Sequence, residues 1–265
     1  MSMRDRSARW PRAGVIAALL AFCWGQPAGA QPADSALVEA ARQGAVETVA
    51  TLLEAGADID AAGPDGTTAL HGAVQRDDRP LARRLLAAGA GADAANRYGV
   101  TPLALAAANG SAPLVGALLD AGADPEAPSP GGDTPLMMAA RTGRPEVLRR
   151  LLEAGVDVHA TESWRGQDAL MWAAAEGHTD AVLALIAAGA DVEARSNGRL
   201  TPLLFAVRGG HIAAAEALLS AGADIHGAAR DGTTPLALAV VNAHYELAGR
   251  LLEWGADPNR PDPRG

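Results

Sequence analysis

From Gln31 onward, apolar residues recur at helical spacing in short bursts, each closed by glycine and followed by a polar turn. Residues 98–124, YGVTPLALAAANGSAPLVGALLDAGAD, are the most regular copy. Gly99 marks a tight turn, and Thr101-Pro102-Leu103 open a short helix through Ala107. A threonine there can accept an orphan backbone N–H, and a proline at the first helical position costs no hydrogen bond. Asn109-Gly110 break that helix, since glycine takes the left-handed conformation a helix C-terminus needs. A second helix ends in Leu118-Leu119, and Gly122-Ala123-Asp124 close the unit. Leucines and paired alanines (Ala106-Ala107, Ala139-Ala140, Ala173-Ala174) give the first helix its buried stripe. The second carries its stripe through Leu52-Leu53, Leu151-Leu152 and Leu251-Leu252.

The unit repeats. Its closing glycine recurs at Gly56, Gly89, Gly122, Gly155, Gly189, Gly222 and Gly255, spaced 33, 33, 33, 34, 33 and 33 residues apart. Its opening residue recurs with the same single 34 at Ser35, Thr68, Thr101, Thr134, Asp168, Thr201 and Thr234. A fixed period of this length predicts a solenoid, which grows by stacking instead of closing one core. With aromatics at only 3%, alanine and leucine dominate the apolar residues, which lets thin helices pack closely in layers.

The text resembles the ankyrin repeat, D-x-x-G-x-T-P-L-H-x-A-A…G…LL…G-A-D, over essentially residues 33–260. The resemblance implies an all-α solenoid of about seven helix-turn-helix repeats with β-hairpin tips on one side. The repeats span 33–63, 64–96, 97–129, 130–163, 164–196, 197–229 and 230–262, within a domain of residues 31–265. It also implies binding of another protein along the tips and the concave helical face. The histidine of T-P-L-H, which in the family ties neighbouring turns, survives only as His71; Val38, Ala104, Met137, Met171, Leu204 and Ala237 replace it elsewhere. The layers are therefore expected to rely more on apolar contact. Repeat one lacks T-P (Ser35-Ala36-Leu37), as a cap would. Arg199 takes a turn-glycine position, which predicts a distorted tip. The last repeat keeps Val240, Val241, Leu247, Leu251 and Leu252 where an end repeat should be polar, and Gly265 falls at the next turn-glycine position. That reads as a chain continuing beyond Gly265.

Residues 1–30 differ in kind. Arg4, Arg6, Arg9 and Arg12 precede an apolar run of 12 residues, Ala13 to Trp24, and Ala28-Gly29-Ala30 follow. This is the pattern of a secretory signal peptide cleaved after Ala30. The run is shorter than the roughly 20 residues a spanning helix needs, so no membrane insertion is expected after cleavage. Cys23, the only cysteine, lies inside it, and Phe22 departs from a lipidation motif. The expected location is periplasmic or secreted; the Arg-only, Ala-rich composition resembles that of a high-GC bacterial gene, which suggests a Gram-negative cell envelope. The formal charge is −9, and loss of residues 1–30, with four Arg and one Asp, would lower it by three to −12. That argues against nucleic acid and anionic membrane surfaces as partners. All 22 basic residues are Arg, and the lack of Lys excludes a P-loop and Schiff-base chemistry.

No catalytic, cofactor or metal motif is found: HExxH, paired CxxC, GxSxG and P-loop are all absent. His178, His211 and His244 lie one repeat apart after the first helix and read as structural. What remains is recognition by a monomer, with positions outside the template carrying the information. By the resemblance, Met138, Trp172 and Phe205 line the concave face as an apolar ladder; the alternative is that these side chains pack against the neighbouring layer. Arg141, Glu176 and Arg208, at the ends of the first helices, are expected to flank the Trp164 tip. The one longer repeat places Trp164 and Arg165 on the longest tip. Trp164→Ala with Trp172→Ala is expected to abolish partner binding with little loss of stability. The competing reading is an accessory or inhibitory subunit of an exported enzyme.

Overall fold

The computed structural model describes residues 32–260, so the signal-peptide expectation lies outside the described residues. Fourteen helices are found among them. They run as α1 (Pro32–Gln43) with α2 (Val46–Glu54), α3 (Ala69–Gln75) with α4 (Arg79–Ala87), and α5 (Pro102–Asn109) with α6 (Ala112–Asp120). Next come α7 (Pro135–Thr142) with α8 (Pro145–Glu153), and α9 (Ala169–Glu176) with α10 (Thr179–Ala187). α11 (Pro202–Gly209) with α12 (Ile212–Ser220) and α13 (Pro235–Val241) with α14 (Tyr245–Glu253) complete the series. The members of each pair pack together, and the first helices pack in sequence from α1 to α13. The second helices do the same from α4 to α12, which makes a two-layered stack. None of these helices is long and apolar enough to cross a membrane.

From the second repeat on, each first helix begins where the sequence places it, whereas α1 starts at Pro32, ahead of the expected Ser35. Thr68, Thr101, Thr134, Thr201 and Thr234 accept the backbone N–H three residues on, and Asp168 does so at the start of α9. Leu70, Leu103, Leu136, Leu170 and Leu203 then fill one slot in successive layers, and all are buried. Leu85, Leu118, Leu151, Leu185 and Leu218 do the same for the second helices. Burying one such side chain stabilises by about 2 kcal/mol, so the stack holds through repetition of small gains.

The expected β-hairpin tips are reverse turns, with no strand among the described residues. Asn96 N–H donates to Val100 O at 3.0 Å and Gly99 N–H to Asn96 O at 2.8 Å. One residue later the chain enters Thr101-Pro102, and a proline has no N–H to extend a ladder.

Beside the apolar contact between layers, three hydrogen-bond ladders tie them. At the tips, Arg97, Ser163 and Asn197 donate backbone N–H to Asp65 O, Gly131 O and Arg165 O. Pro130 interrupts that series because it has no donor. Below the tips, Asp60, Asp93, Glu126 and Glu193 accept the backbone N–H of Gly91, Asp124, Asp157 and Asp224, each in the next repeat. At the end of the first helices, Nε2 of His178, His211 and His244 reaches Arg141 O, Ala175 O and Arg208 O in the preceding repeat, at 3.0–3.1 Å. His71 adds the bond the family leads one to expect, Nε2 to Val100 O at 2.9 Å.

The tip at Arg199 is a second correction. Ser196 N–H donates to Leu200 O at 3.1 Å and Arg199 N–H to Ser196 O at 2.7 Å, the same pattern as Asn96–Val100. The turn keeps its shape, and Arg199 takes φ +60 to do so. The two ends of the stack differ: α1 and α2 expose Glu39, Gln43 and Glu47, whereas the last layer exposes Val240, Val241 and Leu252.

Candidate partner-binding surface

The tip before α9 carries the extra residue. Its arms close as in the other tips, with Glu162 N–H donating to Gln167 O at 3.0 Å, but four residues lie between them where the Asn96 tip has three. The turn bond lengthens to match: Gly166 N–H reaches back four residues to Glu162 O, whereas Gly99 N–H reaches back three. A longer acid fills the wider loop. The Asn96 side-chain Oδ1 accepts from Tyr98 N–H and Val100 N–H; the Glu162 carboxylate accepts the backbone N–H of Trp164 at 2.6 Å, Arg165 at 2.8 Å and Gln167 at 3.0 Å. Glu162 is buried beneath the turn. A side chain that accepts from several backbone amides is a strong constraint, so the loop is held from inside.

It is held from both sides as well. Ser163 N–H joins Gly131 O at 2.9 Å in the preceding tip, and Asn197 N–H joins Arg165 O at 2.7 Å from the following one. Asn197 Nδ2 also donates to Trp164 O at 3.2 Å. The indole of Trp164 is left 83% exposed on this fixed loop, with Arg165 exposed beside it. Both stand where the sequence expects them.

On the helical face the structure brings Met138, Arg141 and Trp172 together across α7 and α9. The Arg141 guanidinium lies 5.7 Å from the Trp172 ring centroid, and its Nη2 is 3.5 Å from Met138 Sδ. A cation over an indole face is an attractive arrangement. Trp172 is only partly buried, but its Nε1 is buried without a partner and its ring packs against the core. It is therefore a layer-packing residue with one open face.

Phe205 does not belong to this surface. Its side chain is 1% exposed, and Arg208 closes over the ring at 4.7 Å. Its helix, α11, packs between α9 on one side and α13 on the other. The expected ladder thus stops at Trp172. Arg208 and Glu176 are exposed at the ends of α11 and α9. The backbone carbonyls of Arg141 and Arg208 are the ones that His178 and His244 hold, so the histidines fix the stems from which both cations project.

Sequence reading missed Glu162 as the organiser of the loop, Asn197 as its clamp, and Tyr98, which is 69% exposed on another tip. Tyr98 sits in the most regular repeat, where only its tip position could have drawn attention. A cleft of about 310 Å³ between two neighbouring repeats is lined by Pro128, Gly132, Val156 and Thr161. Its carboxylates, Glu126 and Asp157, are already engaged with backbone N–H groups. Elsewhere, burial pushes the Asp168 carboxyl up while its oxygen caps α9, and burial pushes His71 down despite its bond to Val100. Neither stands among convergent reactive groups, and no cluster able to hold a metal ion is found among the described residues.

A tryptophan on a braced loop beside an exposed arginine is an arrangement for recognition. No curated protein matches the chain. The family model described as Ankyrin repeats (3 copies) matches residues 37–129, 127–196 and 170–262, and repeats of this kind are in general protein–protein interaction modules. With that match spread over the helical stack and its tips, the chain belongs to the ankyrin repeat family.

Proposed function

We propose that the chain is a monomeric scaffold of about seven repeats that binds another protein outside the cytoplasm, with Trp164 as the principal anchor. The observation that carries this reading is the 83% exposure of an indole on a loop braced by Glu162 and by both neighbouring tips. An anchor already fixed in place loses little conformational freedom on binding. Arg165 on the same tip and Arg141 over Trp172 extend the surface towards the helices. The export reading rests on the basic, apolar and A-x-A pattern of residues 1–30, and a cell-envelope location follows from it.

The test is affinity capture from a periplasmic fraction, with wild-type chain and Trp164→Ala as parallel baits. A stoichiometric protein retained by the first and lost from the second supports the reading. A partner retained equally by both moves the site elsewhere on the stack.

A further inference from the structure

We infer that the partner presents an acidic polypeptide segment that lies along the tips, its carboxylates on Arg165, Arg199 and Arg230 and an apolar side chain against Trp164. This rests on the docking reading above and adds the partner's chemistry to it.

The chain carries a formal charge of −9, yet the tips before α9, α11 and α13 each expose an arginine, Arg165, Arg199 and Arg230. Apart from Asp231, the carboxylates near the tips are engaged internally. Glu162 is buried under backbone N–H groups, Asp65 is paired with Arg42 and Thr67, and Asp133 is bonded to Ser129. The acids below the tips hold the next repeat's backbone, as Asp93 and Glu126 do. Arg165 and Arg199 are exposed, with no ion pair among the described residues, and Arg230 reaches only the carbonyl of Asn197, at 3.4 Å. Asp231 is the exposed acid on these tips, and its carboxylate accepts from Thr233 N–H.

The tips that carry these cations are neighbours. The bond from Asn197 N–H to Arg165 O sets the Arg165 and Arg199 tips side by side, and the Arg230 contact with Asn197 joins the third. A row of guanidiniums on a net acidic protein is a localised attractor for carboxylates, each able to be gripped by two parallel hydrogen bonds. A nucleic acid would also meet the net negative charge of the rest of the stack, which opposes it, whereas a polypeptide can confine its charge to the row.

The test pans a random dodecapeptide display library on the purified chain at about 50 mM salt, where surface charges are weakly screened. The inference expects enriched peptides that are net acidic and carry an aromatic or aliphatic residue. Their affinity should fall roughly tenfold or more with Arg165→Glu/Arg199→Glu, and on raising salt to about 500 mM. Arg165→Gln/Arg199→Gln should weaken binding by less, with melting unchanged in both variants. Neutral or basic peptides that respond to Trp164→Ala but not to charge reversal overturn the acidic partner and leave the docking surface intact. Peptides indifferent to Trp164→Ala overturn the docking surface itself. A 20-nucleotide oligothymidine that binds as tightly, with the same arginine dependence, overturns the polypeptide in favour of a general polyanion.

Discussion

The imidazole of His211 lies against the bare α-carbon of Gly177, with its Nε2 3.0 Å from the carbonyl oxygen of Ala175 one repeat back. A Cβ at Gly177 would stand 2.4 Å from the ring, on a backbone at φ +73. Two penalties would therefore coincide: about 1–2 kcal/mol for a left-handed non-glycine residue, and a clash. Gly177→Ala is expected to destabilise by about 3 kcal/mol in urea unfolding, His211→Ala by about 1 kcal/mol for the lost bond. In the double variant the clash disappears, so the combined loss should be less than the sum. Additive losses would show that the ring and the glycine do not meet in solution.

Arg199 and Ala243 hold positive φ of 60 where other repeats place glycine. Arg199→Gly and Ala243→Gly should each stabilise by about 0.5–1 kcal/mol, the relief of left-handed strain offset partly by the freedom glycine regains when unfolded. Thermal melting of the two variants checks this, and a fall in Tm for either would contradict it.

Asp168 caps α9 where five other first helices use threonine. Burial raises its carboxyl pKa in the fold, so the charged form is penalised there. For a raised carboxyl, stability is greatest below the unfolded value near 3.9 and is lost as pH rises through the folded value. Asp168→Thr should therefore raise Tm at neutral pH and lose that advantage near pH ~3.5. An equal gain at both values would assign the effect to packing.

His71 behaves in the opposite sense. Its pKa is lowered by burial, while Nδ1 accepts from Thr68 N–H and Nε2–H donates to Val100 O. The unfolded imidazole takes a proton near pH 6.5, so this contribution is full above that value and erodes as pH falls below it. His71→Gln should flatten the change in urea midpoint between about pH 7.5 and 5. Asp65, held at about 2 chiefly by its hydrogen bonds from Thr67, loses its contribution only as pH falls below about 3.9 towards that value.

The stack was legible because the Thr-Pro cap, the leucine slots and the helix-ending glycines each repeat a local cause that needs no distant information. The exposed Trp164 was legible for the converse reason: a single 34-residue spacing must put its extra residue somewhere, and a tip is the place without packing. For Phe205 the sequence left surface and layer packing both open. Its slot is open or closed according to the neighbouring layer and to Arg208, which no single-repeat template reports. The ladders were hidden for a similar reason. The carboxylates of Asp93 and Glu126 look like solvated charge until the next repeat's N–H groups are placed against them.

Trp164 and Trp172 were expected to act as one pair, and the structure separates them. Trp172 packs against the core, so Trp172→Ala should cost about 2 kcal/mol or more, and its binding loss will be mixed with unfolding. The direct measurement is therefore Trp164→Ala alone, with partner affinity and Tm determined on the same preparation. We expect affinity to fall at least about tenfold, the loss of a hot-spot anchor, while Tm stays within about 1 °C of wild type because the side chain touches little. Unchanged affinity, or a loss that tracks a fall in Tm, would contradict the claim that this braced tip is the docking anchor.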